Sequence, residues 1–301
     1  MRVVAVLNRD SGTLQTSDLD LVLSHIDRTF KSAGHGIECR AVNGAQFAAA
    51  VEDAAHADVV LAGGGDGSIS TASAICWKNE KALAILPTGT MNLVARTLQV
   101  PLEIFSAVEA LAAGSIVSCD IATANDRPFI HQFSVGLQPS VVADRNSYEY
   151  RSRWGKLLAG VRATAARLFR PPSVTVVSDT EHEHLRERLS VLVVSNNPYG
   201  SGHMPYADRL DQGILGFYRA PVMSTGANLK LAADLVAGTW ESNPNFFQGT
   251  CRSVELEFPT KRKNAVALLD GELVPLERRV SIAMHPGVLR ILAPNKPGKD
   301  P

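Results

Sequence analysis

Apolar and polar positions follow two different rhythms along the chain. Up to about residue 121, short apolar runs such as Arg2–Leu7, Asp58–Ala62 and Ala82–Leu86 are separated by segments with helical spacing of apolar side chains, such as Leu19–Ala33. Short apolar strands that alternate with helices are typical of a parallel sheet covered on both faces. We therefore predict an α/β domain over residues 1–121.

Beyond residue 121 the apolar runs are short and few helical segments separate them. The predicted strands are Phe129–Val135, Ser173–Ser178, Leu189–Ser195, Ile214–Tyr218, Val254–Phe258, Ala265–Leu269, Val280–Met284 and Val288–Leu292. Many short strands with few helices indicate an antiparallel arrangement. We predict a β-sandwich domain over residues 122–285.

Composition narrows the class of protein. Of the 301 residues, 45 % are hydrophobic and 20 % are charged, which is typical of a globular chain. No apolar run is long enough for a membrane-spanning helix, and the first residues do not resemble a signal peptide, so we predict a cytoplasmic protein. Four separated cysteines, Cys39, Cys76, Cys119 and Cys251, favour neither a disulfide framework nor a zinc site.

Charge is balanced overall but unevenly distributed. The formal net charge is zero, which argues against a nucleic-acid partner. Residues 1–121 carry 8 basic and 13 acidic side chains, whereas residues 122–301 carry 22 and 17. Residues 151–170 hold six basic side chains, no acidic one and an apolar stripe at helical spacing. This segment predicts either a basic helix that contacts an anionic membrane, at the inner membrane face, or a helix docked on the sandwich.

The glycine-rich loop Gly63–Ser68 follows a predicted buried strand and precedes a helix that we expect to begin near Ser68. Glycines at such a turn let backbone N–H groups approach an anion, and the helix start adds its positive dipole end. Asp66 suits a ligand of a nucleotide-borne Mg²⁺. The alternative is a tight turn in which Asp66 caps the helix.

The segment Pro87–Asn92 also lies between a predicted strand and a predicted helix, one strand further along the chain. Thr88, Thr90 and Asn92 place hydroxyl and amide groups at a helix start, which also fits an ordinary N-capped helix. Ligands of parallel sheets bind at the carboxyl ends of the strands, where both loops are expected. The chain lacks the GxxxxGK[ST] and protein-kinase motifs and does not complete a dinucleotide fingerprint.

Taken together, these motifs resemble one family. Gly64-Gly-Asp-Gly-Ser68 followed by Pro87-Thr-Gly-Thr-Met-Asn92 resembles the diacylglycerol kinase catalytic domain of bacterial lipid kinases, which is related to sphingosine kinases and more distantly to NAD kinases. Asn8-Arg-Asp-Ser-Gly12 and Asp270-Gly-Glu272 extend the resemblance over nearly the whole chain. It implies a nucleotide-binding domain and a β-sandwich with the site in the cleft between them, and residues 286–301 packed back on the first domain.

The resemblance also implies roles for individual residues. The positions that would bind or support ATP are Asn8, Gly64, Gly65, Asp66, Gly67, Ser68, Ile69, Ser70, Thr88, Gly89, Thr90 and Asn92. Asp66 would hold the catalytic Mg²⁺, and Asp270 and Glu272 would supply the general base. The sequence leaves open which of the two is the base, and Asp270-Gly271 also fits a plain hairpin turn.

Several positions depart from the family pattern. Ser68 replaces a usual Thr, and His131-Gln132 stand where an Asn is common. Gln212 stands where the family often has an acidic residue, which leaves open a structural Mg²⁺ site near Arg209, Gln212 and Ile214. None of these departures removes Asp66, Thr90, Asp270 or Glu272.

The resulting hypothesis is an ATP- and Mg²⁺-dependent lipid kinase of phospholipid metabolism. Its acceptor would be a hydroxyl of a diacylglycerol-like or related lipid alcohol, and its lipid substrate is the only partner that the sequence implies. The alternatives are a soluble-substrate kinase of the NAD-kinase type and a non-catalytic nucleotide-binding regulator. The oligomeric state is not predicted.

Overall fold

A parallel sheet forms the N-terminal part of the protein. The computed structural model describes residues 1–147 and 171–295. Its first four strands are β1 (Arg2–Asn8), β2 (Gly36–Val42), β3 (Val59–Gly64) and β4 (Ala82–Pro87), in the order β2-β1-β3-β4. All three pairings are parallel, and every residue of β3 and β4 is buried, as expected for a sheet covered on both faces.

Helices cover this sheet. They are α1 (Leu19–Ser32), α2 (Gly44–Asp53), α3 (Asp66–Lys78), α4 (Leu93–Thr97) and α5 (Ile104–Ala112). The side chains of Asp18, Asn43 and Glu103 cap α1, α2 and α5 by accepting backbone N–H groups of the first turn.

Helix α3 begins at Asp66, two residues before the predicted start near Ser68. The reason is that Gly65 already closes the first helical turn, since its carbonyl accepts the N–H of Ile69 at 3.0 Å. Asp66 therefore lies in the first turn of the helix and not in the middle of a loop.

The remaining strands are antiparallel to their neighbours, apart from one pairing described below. They are β5 (Ser115–Ala124), β6 (Arg127–Phe129), β7 (Gln132–Gly136), β8 (Val174–Thr180), β9 (His184–Ser195), β10 (Leu215–Pro221), β11 (Phe247–Cys251), β12 (Ser253–Glu257), β13 (Val266–Leu269), β14 (Glu272–Pro275) and β15 (Arg279–Ala293). Two further helices are α6 (Leu137–Ser147) and α7 (Thr225–Ala237). The predicted strand Phe129–Val135 is wrong as a single element, because the backbone leaves the ladder at Ile130 and His131 to bind a side chain described below.

Strand β15 joins the two parts into one mixed sheet. It pairs antiparallel with β12 and β5 and then, at Ile291 and Leu292, parallel with β4. Two strands were predicted here, but the structure has one strand with a register shift between His285 and Leu289. The fold is thus α/β with an antiparallel β part, as predicted.

The buried apolar residues form distinct cores on the two sides of the junction. The first core contains β1, β3 and β4 and includes Ile121 and Leu289, whereas the second begins at Ala122 and includes Ile282. A third cluster of aromatic side chains, among them Trp240 and Tyr218, lies on the outer face of β9 and β10.

The basic amphipathic segment predicted at residues 151–170 lies outside the described residues. Among residues 1–147 and 171–295, no helix combines the length and the apolar character needed to cross a bilayer.

Candidate functional site

The loops after β3 and β4 touch each other through their glycines. A Cβ atom on Gly89 would lie 2.6 Å from the Cα atom of Gly65, and one on Gly64 would lie 2.3 Å from the Cβ atom of Ser68. Real Cβ atoms do not approach so closely, so these positions require glycine for packing and not for a positive φ. The structure therefore brings the two predicted loops together.

Asp66 links these two loops. Its Oδ1 atom accepts the backbone N–H of Leu93, the first residue of α4, at 2.8 Å. The side chain is half-buried. A capping role for Asp66 was one of the predicted alternatives, but the helix that it caps is α4 and not its own helix α3.

Asn92 closes the second loop on itself. Its Oδ1 accepts the N–H of Gly89 at 2.9 Å, and its Nδ2 donates to the carbonyl of Gly89 at 3.0 Å. Asn92 itself adopts a left-handed conformation with a φ of 51°, which asparagine tolerates better than most residues. Asn92 thus fixes the backbone that presents Thr90, whose side chain is exposed.

Thr88 and Ile69 support the loops from inside. Thr88 is 0 % exposed, and its hydroxyl is hydrogen-bonded to the hydroxyl of Ser11 at 3.0 Å. The side chain of Ile69 is buried in the first core, and its N–H is bonded to Gly65. Both residues were predicted to bind or support ATP, but their side chains face the protein interior. Thr88 follows β4 and bonds to Ser11, and Ile69 lies on the core-facing side of α3.

The loop after β1 completes this edge of the sheet. The Nδ2 atom of Asn8 donates to the hydroxyl of Ser68 at 3.1 Å, which ties β1 to the first turn of α3. No side chain caps α3 at Gly65. The free N–H groups at the start of a helix of this length, together with its dipole, are suited to bind phosphate.

The hairpin between β13 and β14 reaches this edge from the antiparallel domain. Glu272 is exposed, and its Oε1 atom lies 3.6 Å from the place where a Cβ atom on Gly67 would be. Its carboxylate therefore stands beside the glycine-rich loop. The structure thus brings Glu272 beside Gly67, the residue after Asp66, although 205 positions separate Gly67 and Glu272 in the chain.

Asp270 has a different environment. It is 4 % exposed, and its carboxylate accepts the backbone N–H groups of Ile130, His131 and Gln132 at 2.8, 2.9 and 2.9 Å. Both of its oxygens are engaged. The prediction that Asp270-Gly271 forms a hairpin turn is confirmed, because both residues have positive φ values of 46° and 90° between two paired strands.

His131 is a residue near the site to which sequence reasoning gave no role. Its pKa is lowered by burial, an effect that the negative charges of Asp270 and Asp66 partly oppose. A neutral imidazole therefore lies within electrostatic reach of both carboxylates. The only signal in the sequence was that a histidine occupies a position where the family commonly has asparagine.

The residues near Arg209, Gln212 and Ile214 do not fit a structural Mg²⁺ site. Arg209 binds Asp211 at 2.8 Å, and Gln212 offers no carboxylate. Hydrogen bonds hold this turn: the N–H of Gln212 donates to Asn197, and Asp120 accepts the N–H of Gly213. Among the residues that the structure describes, no group of three or more His, Cys, Asp or Glu side chains could hold a metal ion.

The described residues form a parallel α/β part and an antiparallel part, and the glycine-rich loop lies beside the β13–β14 hairpin. Comparisons with known proteins give the family. A family model for the diacylglycerol kinase catalytic domain matches residues 2–124. A probable YegS-like lipid kinase of Citrobacter koseri is 37 % identical over 251 residues, which are 79 % of this chain and 78 % of that protein. The chain therefore belongs to the diacylglycerol kinase catalytic-domain family, a family of lipid-kinase enzymes.

Other relatives are more distant or match over shorter segments. A diacylglycerol kinase of Staphylococcus saprophyticus is 36 % identical over 98 residues, or 32 % of this chain and 30 % of that protein. An uncharacterized Synechocystis protein is 23 % identical over 92 % of this chain and 66 % of its own length. The chain thus spans less than two thirds of both of these relatives.

The fold has solved counterparts. The crystal structure of a putative diacylglycerol kinase from Bacillus anthracis superposes with a TM-score of 0.74 and 19 % identity, over 97 % of this chain and 96 % of that one. At this level of identity the likeness concerns the fold alone.

Proposed function

We propose that the protein is an ATP- and Mg²⁺-dependent lipid kinase. The observation that carries the proposal is the approach of Glu272 to Gly67, which places a solvent-accessible carboxylate of one domain beside the uncapped start of α3 in the other. Phosphoryl transfer requires a held triphosphate, a cation and a base near the acceptor hydroxyl, and this edge of the sheet offers a place for each.

In the proposed reaction, the N–H groups at the start of α3 and the hydroxyl of Thr90 bind the phosphates of ATP. Glu272 accepts the proton of the acceptor hydroxyl, whose oxygen attacks the γ-phosphorus as the bond to ADP breaks. The products are a lipid phosphate and ADP, and the exposed Glu272 then releases the proton to solvent.

Mg²⁺ fits the residues present if it enters with the nucleotide. The Oδ1 atom of Asp66 accepts the N–H of Leu93, so Oδ2 is the oxygen that this side chain would offer to a cation. Mg²⁺ commonly binds one or two carboxylates together with phosphate oxygens and waters, which matches a site with so few protein ligands. When bound, the cation would neutralise charge that develops on the phosphates.

A lipid acceptor is supported by the family, whose named members in the comparison are lipid kinases. We also propose that the acceptor is a diacylglycerol-like or related lipid alcohol. A role in phospholipid metabolism and a cytoplasmic location are further proposals. The soluble-substrate kinase and the non-catalytic regulator remain the alternatives, and the experiment below separates them from the lipid kinase.

The test is transfer of labelled γ-phosphate from ATP, with Mg²⁺, to a total lipid extract in mixed micelles. The matched controls are Glu272→Gln, which removes the proposed base, and Glu277→Gln, an exposed glutamate before β15. We expect a labelled lipid with the wild type and Glu277→Gln, and a loss of roughly 10²–10⁴-fold with Glu272→Gln. Binding of ATP without any labelled lipid would contradict the proposal and favour a soluble acceptor or a regulator.

A further inference from the structure

The turn between β13 and β14 contains a buried charge that the turn itself does not need. Two-residue turns with positive φ at both positions are served equally well by Asn-Gly and Asp-Gly. An ionised carboxylate is costly to bury unless it is well hydrogen-bonded. Asp270 is nevertheless 4 % exposed, and three backbone N–H groups surround its carboxylate.

Those three N–H groups come from one place, the bend between β6 and β7. A fourth hydrogen bond runs in the opposite direction, from the N–H of Asp270 to the carbonyl of Gln132 at 2.9 Å. Burial lowers the pKa of His131, an effect that the charge of Asp270 partly opposes. The groups seen to contact the Asp270 carboxylate are the three backbone N–H groups. We call this set of four hydrogen bonds the Asp270 clamp.

Within the described residues, helix α6 packs against both strands of the hairpin, but the backbone ladder that joins the hairpin to the rest of the sheet is short. β13 pairs with β7 at only two positions, Leu268 with Ser134 and Leu269 with Phe133. β14 is the terminal strand of the sheet order and pairs with β13. The first residue of β14 is Glu272, so its backbone is placed directly by the turn that the clamp holds.

We propose that Asp270 is a positioning residue that acts through Glu272. The clamp fixes the hairpin turn to the bend before β7, and this holds the Glu272 carboxylate beside Gly67 across the cleft. In this proposal Asp270 does not exchange a proton with the acceptor, because its carboxylate is buried beneath the turn and already accepts three backbone N–H groups. This inference rests on the proposed function in that Glu272 is taken as the base.

The test is a double-mutant cycle in the full-length protein. Asp270→Asn preserves the turn but replaces one acceptor oxygen with an amide NH₂ that would face a backbone N–H. We expect kcat to fall about a hundredfold, since a displacement of about 1 Å has that cost, with the KM for ATP unchanged. The variant Asp270→Asn/Glu272→Gln should be no slower than Glu272→Gln alone, because the clamp acts only through that carboxylate.

A matched control exists in the same domain. Asn125-Asp126 forms another turn with positive φ at both positions, between β5 and β6, and Asp126 is exposed. Asp126→Asn should leave kcat unchanged. Hydrogen exchange supplies a second readout: the N–H groups of Ile130, His131 and Gln132 should lose protection in Asp270→Asn. If that variant does not fold, Asp270→Glu keeps the charge, displaces it by one methylene, and is predicted to show the same kcat effect.

The outcomes separate the two proposals. Activity of Glu272→Gln equal to wild type would overturn the base assignment. A slow Glu272→Gln with a normal Asp270→Asn would overturn the positioning role and leave the proposed function intact. Multiplicative losses in the double variant would overturn it as well, since Asp270 would then contribute on its own.

Discussion

In the parallel domain, the polar residues of the site are tied to one another by contacts between neighbouring loops. Asp66 binds Leu93, Asn8 binds Ser68, and Asn92 binds Gly89, across separations of 27, 60 and 3 positions in sequence. In the antiparallel domain, by contrast, Glu272 is placed by a clamp between Asp270 and residues 138 to 140 positions away.

This difference shows how the two halves of the site are fixed. The loops of the parallel domain lie at adjacent strand ends, so the sheet brings them together and short polar contacts suffice. The hairpin of the antiparallel domain is at the end of the sheet, so it needs a long-range anchor. We therefore expect variants of the loops to affect nucleotide binding and variants of the hairpin to affect the transfer step.

The largest predicted effect concerns Asp66, whose Oδ1 atom accepts the N–H of Leu93. Asp66→Asn keeps an oxygen for that contact but loses the charge, whereas Asp66→Ala loses both. We expect both variants to transfer phosphate about a hundredfold more slowly or worse, because the proposed Mg²⁺ would lose its charged protein ligand, and a hundredfold corresponds to about 2.7 kcal/mol. Only Asp66→Ala should also be less stable, by about 1 kcal/mol, since it loses the cap of α4. Equal losses of stability, measured by urea unfolding, would contradict the capping role.

The next effect tests the contact between the loops after β3 and β4. Gly89→Ala would place a Cβ atom 2.6 Å from Gly65, so the loops must separate. We expect a loss of stability of about 1–3 kcal/mol and weaker ATP binding, measured by calorimetry. Gly226→Ala in α7 is the control, because a Cβ atom there meets nothing within 4 Å. Unchanged ATP affinity in Gly89→Ala would show that the loops need not touch.

A smaller effect is expected beneath the loops, at the buried hydroxyl pair Ser11 and Thr88. Ser11→Ala leaves the Thr88 hydroxyl buried without this partner and should cost about 1 kcal/mol or slightly more in unfolding free energy. Adding Thr88→Val removes the second hydroxyl and should recover part of the loss. Thermal unfolding of the single and double variants measures this, and a further loss in the double variant would contradict it.

The smallest effect is a pH dependence of stability due to His131. Because the folded-state pKa lies below the ordinary value of 6.5, the unfolded chain binds the proton more readily. The contribution of His131 to the free energy of unfolding is therefore complete above pH 6.5. It decreases as the pH falls from 6.5 towards the folded-state pKa, by at most about 1.4 kcal/mol per pH unit. In the His131→Asn variant, the free energy of unfolding should change less between pH 7.5 and pH 5.5 than it does in the wild type. The same slope in the variant would assign the dependence to other groups.

Periodicity predicted the parallel domain well, and the antiparallel domain less well. Strands β1, β3 and β4 fall within two residues of their predicted bounds, because buried parallel strands are uniformly apolar. Strands β5, β11 and β14 were missed. Strand β14 is short and ends in Pro275. Two strands were predicted where the structure has the single strand β15. Around Pro286-Gly287 the pairing shifts in register, but the strand does not end.

The candidate site was predicted unevenly for a related reason. Motifs at strand ends found Asp66, Asn92 and the glycines, because parallel strands end at a common edge. Nothing in the sequence distinguished the environments of Asp270 and Glu272, which are two positions apart. Asp270 is buried and accepts three backbone N–H groups, whereas Glu272 is exposed beside Gly67.

Local spacing and residue type were enough to predict the alternating strands and helices of the parallel part, the glycine-rich and Thr-rich loops and the family, because these features are encoded by residues close together in the chain. The tertiary structure decided that Thr88 and Ile69 face inward, that Asp66 caps the helix of a neighbouring loop, and that Glu272 rather than Asp270 stands in the cleft. These outcomes depend on contacts between residues far apart in the chain, and burial and hydrogen bonding at such contacts exist only once the chain has folded.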